Sequence, residues 1–190
     1  MINDRHERLI TGLLLLAKSD NESINRYPVD LADVVAHVVD QLGAEAGRAG
    51  VTIDDATTEA LTSGDALLLE RLVHNLVENG IRHNVAAGGR LTLTSGTRDD
   101  GSVELEVVNT GPVVPDYEVP ALFEPFRRLA KDRLATAKGV GLGLSIVRSV
   151  TQVHGGEVTA RPRQGGGLVV TVTLPALAGD REVIAAAREL

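Results

Sequence analysis

Apolar positions recur along this chain with two periods, and the switches between them mark out the elements. Leu31, Val34, Val35, Val38, Val39 and Leu42 fall three and four residues apart, the spacing that lines one face of an α-helix. Asp30 ahead of them is a capping residue, and the helix should end near Gly47 or Gly50. Leu69, Leu72, Val73, Leu76 and Val77 repeat the pattern, predicting a second helix from a cap at Asp65 to about His83. A third is predicted from about Leu142 to Val153. Elsewhere the period drops to two. Arg90 to Thr97 and Ser102 to Val108 alternate on either side of Arg98-Asp99-Asp100-Gly101, which reads as a β-hairpin. Further strands are predicted at Val51 to Ile53, Glu157 to Arg161 and Leu168 to Leu174, with Gly165-Gly166-Gly167 as a turn and Pro175 as a stop. Residues 110–140 lack periodicity and form a long loop, a kind that usually carries function in a compact domain. Strands joined by hairpins and mixed with helices predict an α/β sandwich with helices on one face of a mixed sheet.

The flanks differ. Ile2, His6, Leu9, Leu13 and Leu16 alternate spacings of four and three, a coiled-coil seam too short to be stable alone. Residues 21–28 are polar and end in Pro28, which suggests a linker, and residues 176–190 suggest an Ala-rich terminal helix. The expected organisation is therefore helix 1–20, linker 21–28, domain 29–175 and tail 176–190.

Composition narrows the function. With two Phe, two Tyr and no Trp among 190 residues, the core must be aliphatic and no platform exists for stacking bases. A net charge of -7 would also repel a phosphate backbone, so nucleic acid is excluded as a partner. The absence of cysteine removes disulfide and thiolate chemistry and fits a reducing, cytoplasmic setting. The longest apolar run, Leu13 to Ala17, is far short of the roughly 20 residues that cross a bilayer, so no direct membrane contact by this chain is expected.

Chemistry enters on the second helix. Asn79 follows Asn75 by four residues, and Arg82 and His83 follow Asn79 by three and four, on a polar stripe opposite the apolar one. A carboxamide oxygen such as that of Asn79 suits Mg²⁺, which shares phosphate oxygens with few protein ligands, and Arg82 and His83 would then meet phosphates. Gly139, Gly141 and Gly143 open the third helix, where bare amides can hold an anion. A dinucleotide fold would need a strand directly before those glycines, and the long loop precedes them instead.

Taken in order, Asn75 to Asn84, Asn109 to Pro115, Leu122 to Phe126 and Gly139 to Leu144 resemble the N box, first glycine box, F box and second glycine box of one family. It is the catalytic ATP-binding domain of two-component sensor histidine kinases, within the superfamily that includes gyrase, MutL and a heat-shock chaperone. The likeness runs from about Tyr27 to Pro175 and implies a Bergerat-type sandwich binding ATP and Mg²⁺, with a lid from about Val113 to Lys138. By that resemblance Asn79 is the metal ligand, and Asn75 supports the metal and phosphates as a catalytic residue. Arg82 and His83 contact phosphate, and Phe123 and Phe126 anchor the lid. Asn109 and Gly111 line the adenine side, and Lys138, Gly139, Val140, Gly141, Leu142, Gly143 and Leu144 wrap the phosphates. Arg127 or Arg128 could reach the terminal phosphate, and Glu78 is a candidate base through water, although it points roughly 100° away from Asn79.

The sequence departs from the family where an aspartate usually faces the adenine amino group, here Asn109, and where a glycine usually stands, here Val113. A small hydroxyl residue near the last strand is replaced by Leu168 or Val169. Asn109 can still accept a hydrogen bond without its charge-assisted part, which predicts weaker or altered nucleotide binding. Asn75 stands where hydrolytic relatives and serine-kinase anti-sigma factors place a glutamate base, and a carboxamide cannot take a proton. Histidine phosphorylation is therefore favoured over a related ATPase or a serine-kinase anti-sigma factor; a degenerate nucleotide-binding or interaction module, its catalysis ended by Asn109 and Val113, stays open as the second reading. The phosphorylated histidine would sit on a dimerisation hairpin whose second helix matches residues 2–20. The seam residue His6 lacks acceptor context, so the chain should not phosphorylate itself. The implied setting is a homodimeric receptor, its cytoplasmic part passing phosphate to a response regulator.

Overall fold

The computed structural model describes residues 26–126 and 141–177. In chain order these form β1 (Tyr27–Asp30), α1 (Leu31–Arg48), β2 (Val51–Asp55), β3 (Leu61–Gly64), α2 (Ala66–Arg82), β4 (Gly89–Thr97) and β5 (Ser102–Asn109). After two 3₁₀ turns, Asp116–Glu118 and Pro120–Phe123, come α3 (Gly143–Val153), β6 (Glu157–Pro162) and β7 (Leu168–Pro175). The main sheet has the order β2-β4-β5-β7-β6, parallel between β2 and β4 and antiparallel elsewhere.

Both predicted caps form. Asp30 Oδ1 accepts from the amides of Ala32 and Ala60, each at 2.9 Å, so one carboxylate starts α1 and ties it to the approach to β3. Asp65 Oδ1 accepts from Leu67 and Leu68 at the head of α2. The apolar stripes of α1 and α2 meet Leu91, Leu93, Val103, Leu105 and Val172 of the sheet, all buried. On the other sheet face Thr92, Thr94, Glu104 and Glu106 alternate with those core residues and stay partly or fully exposed. Gly80 lets α2 lie directly on β4, because a Cβ there would sit 2.5 Å from Leu91 Cδ1.

Three expectations need correction. Tyr27 and Pro28 belong to the domain, not to a linker, since β1 pairs antiparallel with β3 and buries Val29. Ala176 does not begin a helix: it bridges Thr62, and Leu177 donates to the Leu61 carbonyl, which extends the β7 end onto the small sheet. The first part of the long loop carries secondary structure, two 3₁₀ turns, and Val114, Val119 and Phe123 there are buried. The helix expected at 1–20, most of the linker and the tail from residue 178 lie outside the described residues.

Candidate functional site

α2 and α3 run antiparallel, and the site sits at one end of the pair. At the other end the His154 ring meets Asp65, whereas here Asn75 lies against the start of α3. A Cβ added to Gly143 would be 3.4 Å from Asn75 Oδ1, so the carboxamide and the helix-opening glycine face each other. Asn75 is held in place by its own helix, because its Nδ2 donates to the Arg71 carbonyl at 2.7 Å. With the donor used there, the oxygen is the atom turned toward Gly143. The approach to α3 is shaped by Gly141, at φ 72, whose carbonyl accepts from the Phe126 amide at 2.9 Å. No side chain caps α3, so its first amides are not consumed by a capping side chain.

One turn beyond Asn75, Asn79 is half-buried and its carbonyl accepts from the His83 amide. Arg82 is committed more than expected. Its Nη2 donates to Glu78 Oε1 at 2.6 Å, and the Glu78 side chain is only 11% exposed against 34% for Arg82. Glu78 is thus a buried, ion-paired carboxylate, ill placed as a solvent-side base. Among the described residues no three His, Asp or Glu side chains converge to cage a metal.

The C-terminal end of α2 meets the residues expected on the adenine side. Asn109 ends β5, buried, with its Nδ2 donating to the Thr110 carbonyl at 2.8 Å. A Cβ on Gly111 would lie 2.4 Å from the His83 carbonyl, so that turn presses onto the α2 terminus. Two supports were not foreseen from sequence. Asn84 donates to the carbonyls of Gly80 and Arg90 and accepts from the Thr110 hydroxyl, joining α2, β4 and the turn after Asn109. Gly167, at φ 99, donates to the Pro112 carbonyl, and a Cβ there would lie 1.9 Å from the Asn109 carbonyl. Asn84 was legible only as part of a motif and the glycines only as a turn, because both partners are distant in sequence.

Phe123, expected to anchor the lid, is buried. Phe126 departs from that expectation: it is 62% exposed at φ 63, and it fastens the stem of the loop through its backbone, not its ring. Leu142 and Leu144 are buried beneath α3, so they shape the loop from within. Arg127, Arg128, Lys138, Gly139 and Val140 lie outside the described residues.

This arrangement matches known proteins. The family described as histidine kinase-, DNA gyrase B-, and HSP90-like ATPase covers residues 64–178. The chain belongs to that family. Within this ATPase family its relatives include the sensor protein CutS of Streptomyces coelicolor, 53% identical over 173 residues, covering 91% of this chain and 42% of CutS. The chain therefore spans about two fifths of that relative's length. Among solved structures, the mycobacterial sensor histidine kinase MprB superposes with a TM-score of 0.69 at 27% identity, covering 79% of this chain and 97% of that one. Full-length ShkA in complex with AMPPNP gives a TM-score of 0.74 at 26% identity, over 90% of this chain and 36% of that one. The expected fold, helices layered on a mixed sheet, is the one these histidine-kinase catalytic domains share.

Proposed function

We propose that this chain is the nucleotide-binding half of a sensor histidine kinase, which presents the γ-phosphoryl group of ATP to a histidine on a dimerisation hairpin. The observation that carries this reading is the meeting of Asn75 Oδ1 with Gly143 at the uncapped start of α3. Asn79 would hold Mg²⁺ by its carboxamide oxygen, and Mg²⁺ when bound neutralises charge between phosphates. The α3 amides, Arg82 and His83 would take the phosphates, and Asn109 Oδ1 would accept from the adenine amino group. Phosphoryl transfer asks mainly for position and charge neutralisation, which these groups supply without a base. That agrees with Glu78 being spent on Arg82, and it disfavours hydrolysis as the main reaction.

The intact protein would be a homodimer with a cytoplasmic kinase part, and it would pass its phosphate to a response regulator. A neighbouring structure, ThkA, was solved in complex with the response regulator protein TrrA; this chain shares its fold at 22% identity. No helix among the described residues is long and apolar enough to cross a membrane. The test is a fluorescent-ATP titration with and without Mg²⁺. Binding should strengthen with Mg²⁺, and Asn79→Ala should lose that Mg²⁺ increment without unfolding. Equal binding by Asn79→Ala in both conditions refutes the metal assignment, and no adenine-nucleotide binding by the wild type refutes the function.

A further inference from the structure

The end of the α2–α3 pair remote from the ligand is closed by a histidine that the proposed chemistry does not use. His154 is 1% exposed and caps the C-terminus of α3. Its Nδ1 lies 2.7 Å from the Val150 carbonyl, and its Nε2 accepts from the Asp65 amide at 3.1 Å. A carbonyl can only accept and an amide can only donate, so the pair of contacts selects the neutral ring with its proton on Nδ1. The fit is tight: a Cβ on Gly64 would come within 2.5 Å of His154 Cδ2.

The two helices are pinned at matching distances. Asp65 to Asn75 spans ten residues on α2, and Gly143 to His154 spans eleven on α3. At about 1.5 Å per residue both spans come to roughly 15 Å. The joint at one end and the meeting of Asn75 with Gly143 at the other thus brace the same pair of helices.

We propose that His154 is a positioning residue: in its neutral form it locks the head of α2 to the tail of α3, and its protonation loosens the nucleotide site. The charged groups that face the ring are Asp65, at the head of α2, and Arg26, ahead of β1, whose guanidinium donates to the carbonyls of Val153 and Ser63. A second proton on Nε2 would point at the Asp65 N–H, donor against donor. The one facing carboxylate among the described residues, Asp65, is already bonded to the amides of Leu67 and Leu68, and turning it to an imidazolium would uncap α2. Arg26 adds repulsion. Burial, chiefly, holds the ring below the ordinary histidine range, with Arg26 acting in the same sense and the Val150 carbonyl and Asp65 opposing.

The inference rests on the ATP reading, and its experiment separates the two. Wild type, His154→Gln and His154→Phe are compared as whole chains, with circular dichroism as the check that each is folded. Gln keeps an acceptor for Asp65 and does not titrate; Phe keeps bulk and offers neither. Nitrogen-detected imidazole NMR of the free wild type should report an Nδ1–H tautomer for His154 at about pH 7. A fluorescent ATP analogue should weaken between about pH 7.5 and pH 5.5 by roughly tenfold more for wild type than for His154→Gln, the equivalent of one pKa unit. The other histidines are common to both chains, so the comparison isolates His154. His154→Phe, where folded, should bind about tenfold more weakly even at the higher pH. Parallel pH profiles for wild type and His154→Gln, or an Nε2–H tautomer, overturn the proposal. Wild type that binds no nucleotide at any pH overturns the ATP reading instead, and the tautomer then decides the joint.

Discussion

The two ends of the α2–α3 pair are built on opposite plans. At one end the Asp65 amide donates to the His154 ring and Arg26 donates to the carbonyls of Val153 and Ser63, all within the protein and near Leu69, which is fully buried. At the other, α3 starts without a side-chain cap, a carboxamide oxygen turns toward a glycine, and Phe126 stands in solvent. One end is complete without a ligand, and the other is arranged to be completed by one. Damage to the packing at the first end should therefore read mainly as lost stability, and damage at the second as lost binding; His154, whose contacts join both helices, is the one position at the first end expected to move both.

The largest break of that contrast is Leu69→Ala. Emptying this buried leucine position should cost about 2–5 kcal/mol. Thermal unfolding should fall by at least about 5 °C for a chain of this size. Nucleotide affinity of the folded fraction, measured well below the midpoint, should change much less than stability. A variant that keeps its melting point but loses nucleotide would invert the assignment of the two ends.

The contrast also explains how far the sequence could be read. The locked end announces itself locally: Asp65 before an apolar stripe predicts both the cap and the helix, and the hairpin of β4 and β5 follows from strict alternation. The ligand end was visible through spaced motifs, because Asn75, Asn79 and the glycines must recur in order for that chemistry. What stayed hidden depends on partners far apart in the chain. Gly167 reads as a turn residue until the Asn109 carbonyl is found where its Cβ would be. Glu78 reads as a solvent-side acid until burial and Arg82 claim it. β1 was hidden by Pro28, which suggests a linker but is tolerated in a short strand on the small two-stranded sheet.

Asn109→Asp sharpens the comparison at the ligand end, with an effect of opposite sign on the two readouts. The present carboxamide donates to the Thr110 carbonyl; a carboxylate cannot, and would face that oxygen while buried. The free protein should lose about 1–3 kcal/mol of stability in urea unfolding. Adenine-nucleotide affinity should rise, because a charged acceptor makes the stronger hydrogen bond to an amino group. Calorimetric titration showing tight binding that is unchanged in Asn109→Asp would remove the weaker-binding expectation.

Acid should act on the locked end. Burial holds the folded pKa of His154 below the ordinary histidine value of about 6.5, so the unfolded chain binds its proton first as pH falls. Its contribution is whole above about pH 6.5 and is lost as pH drops toward the folded value, with a slope of at most about 1.4 kcal/mol per pH unit. Urea midpoints taken from about pH 7.5 down to 5 should show that decline in wild type and a shallower one in His154→Gln.

The smallest effect should come from a place that belongs to neither end. Arg90 Nη1 pairs with Asp54 Oδ2 at 2.7 Å across the β2–β4 edge, with side chains 65% and 39% exposed. Such a pair is screened by water and salt, so Asp54→Asn should cost less than about 1 kcal/mol, and less still in 0.5 M salt, about where screening lengths fall under 5 Å. Nucleotide affinity should not move. The backbone of Arg90, however, is gripped by Asn84 and Thr110, next to Asn109. A measurable loss of affinity in Asp54→Asn would thus mean that the exposed arginine steadies that backbone, and that the ligand end reaches through the sheet to its far face.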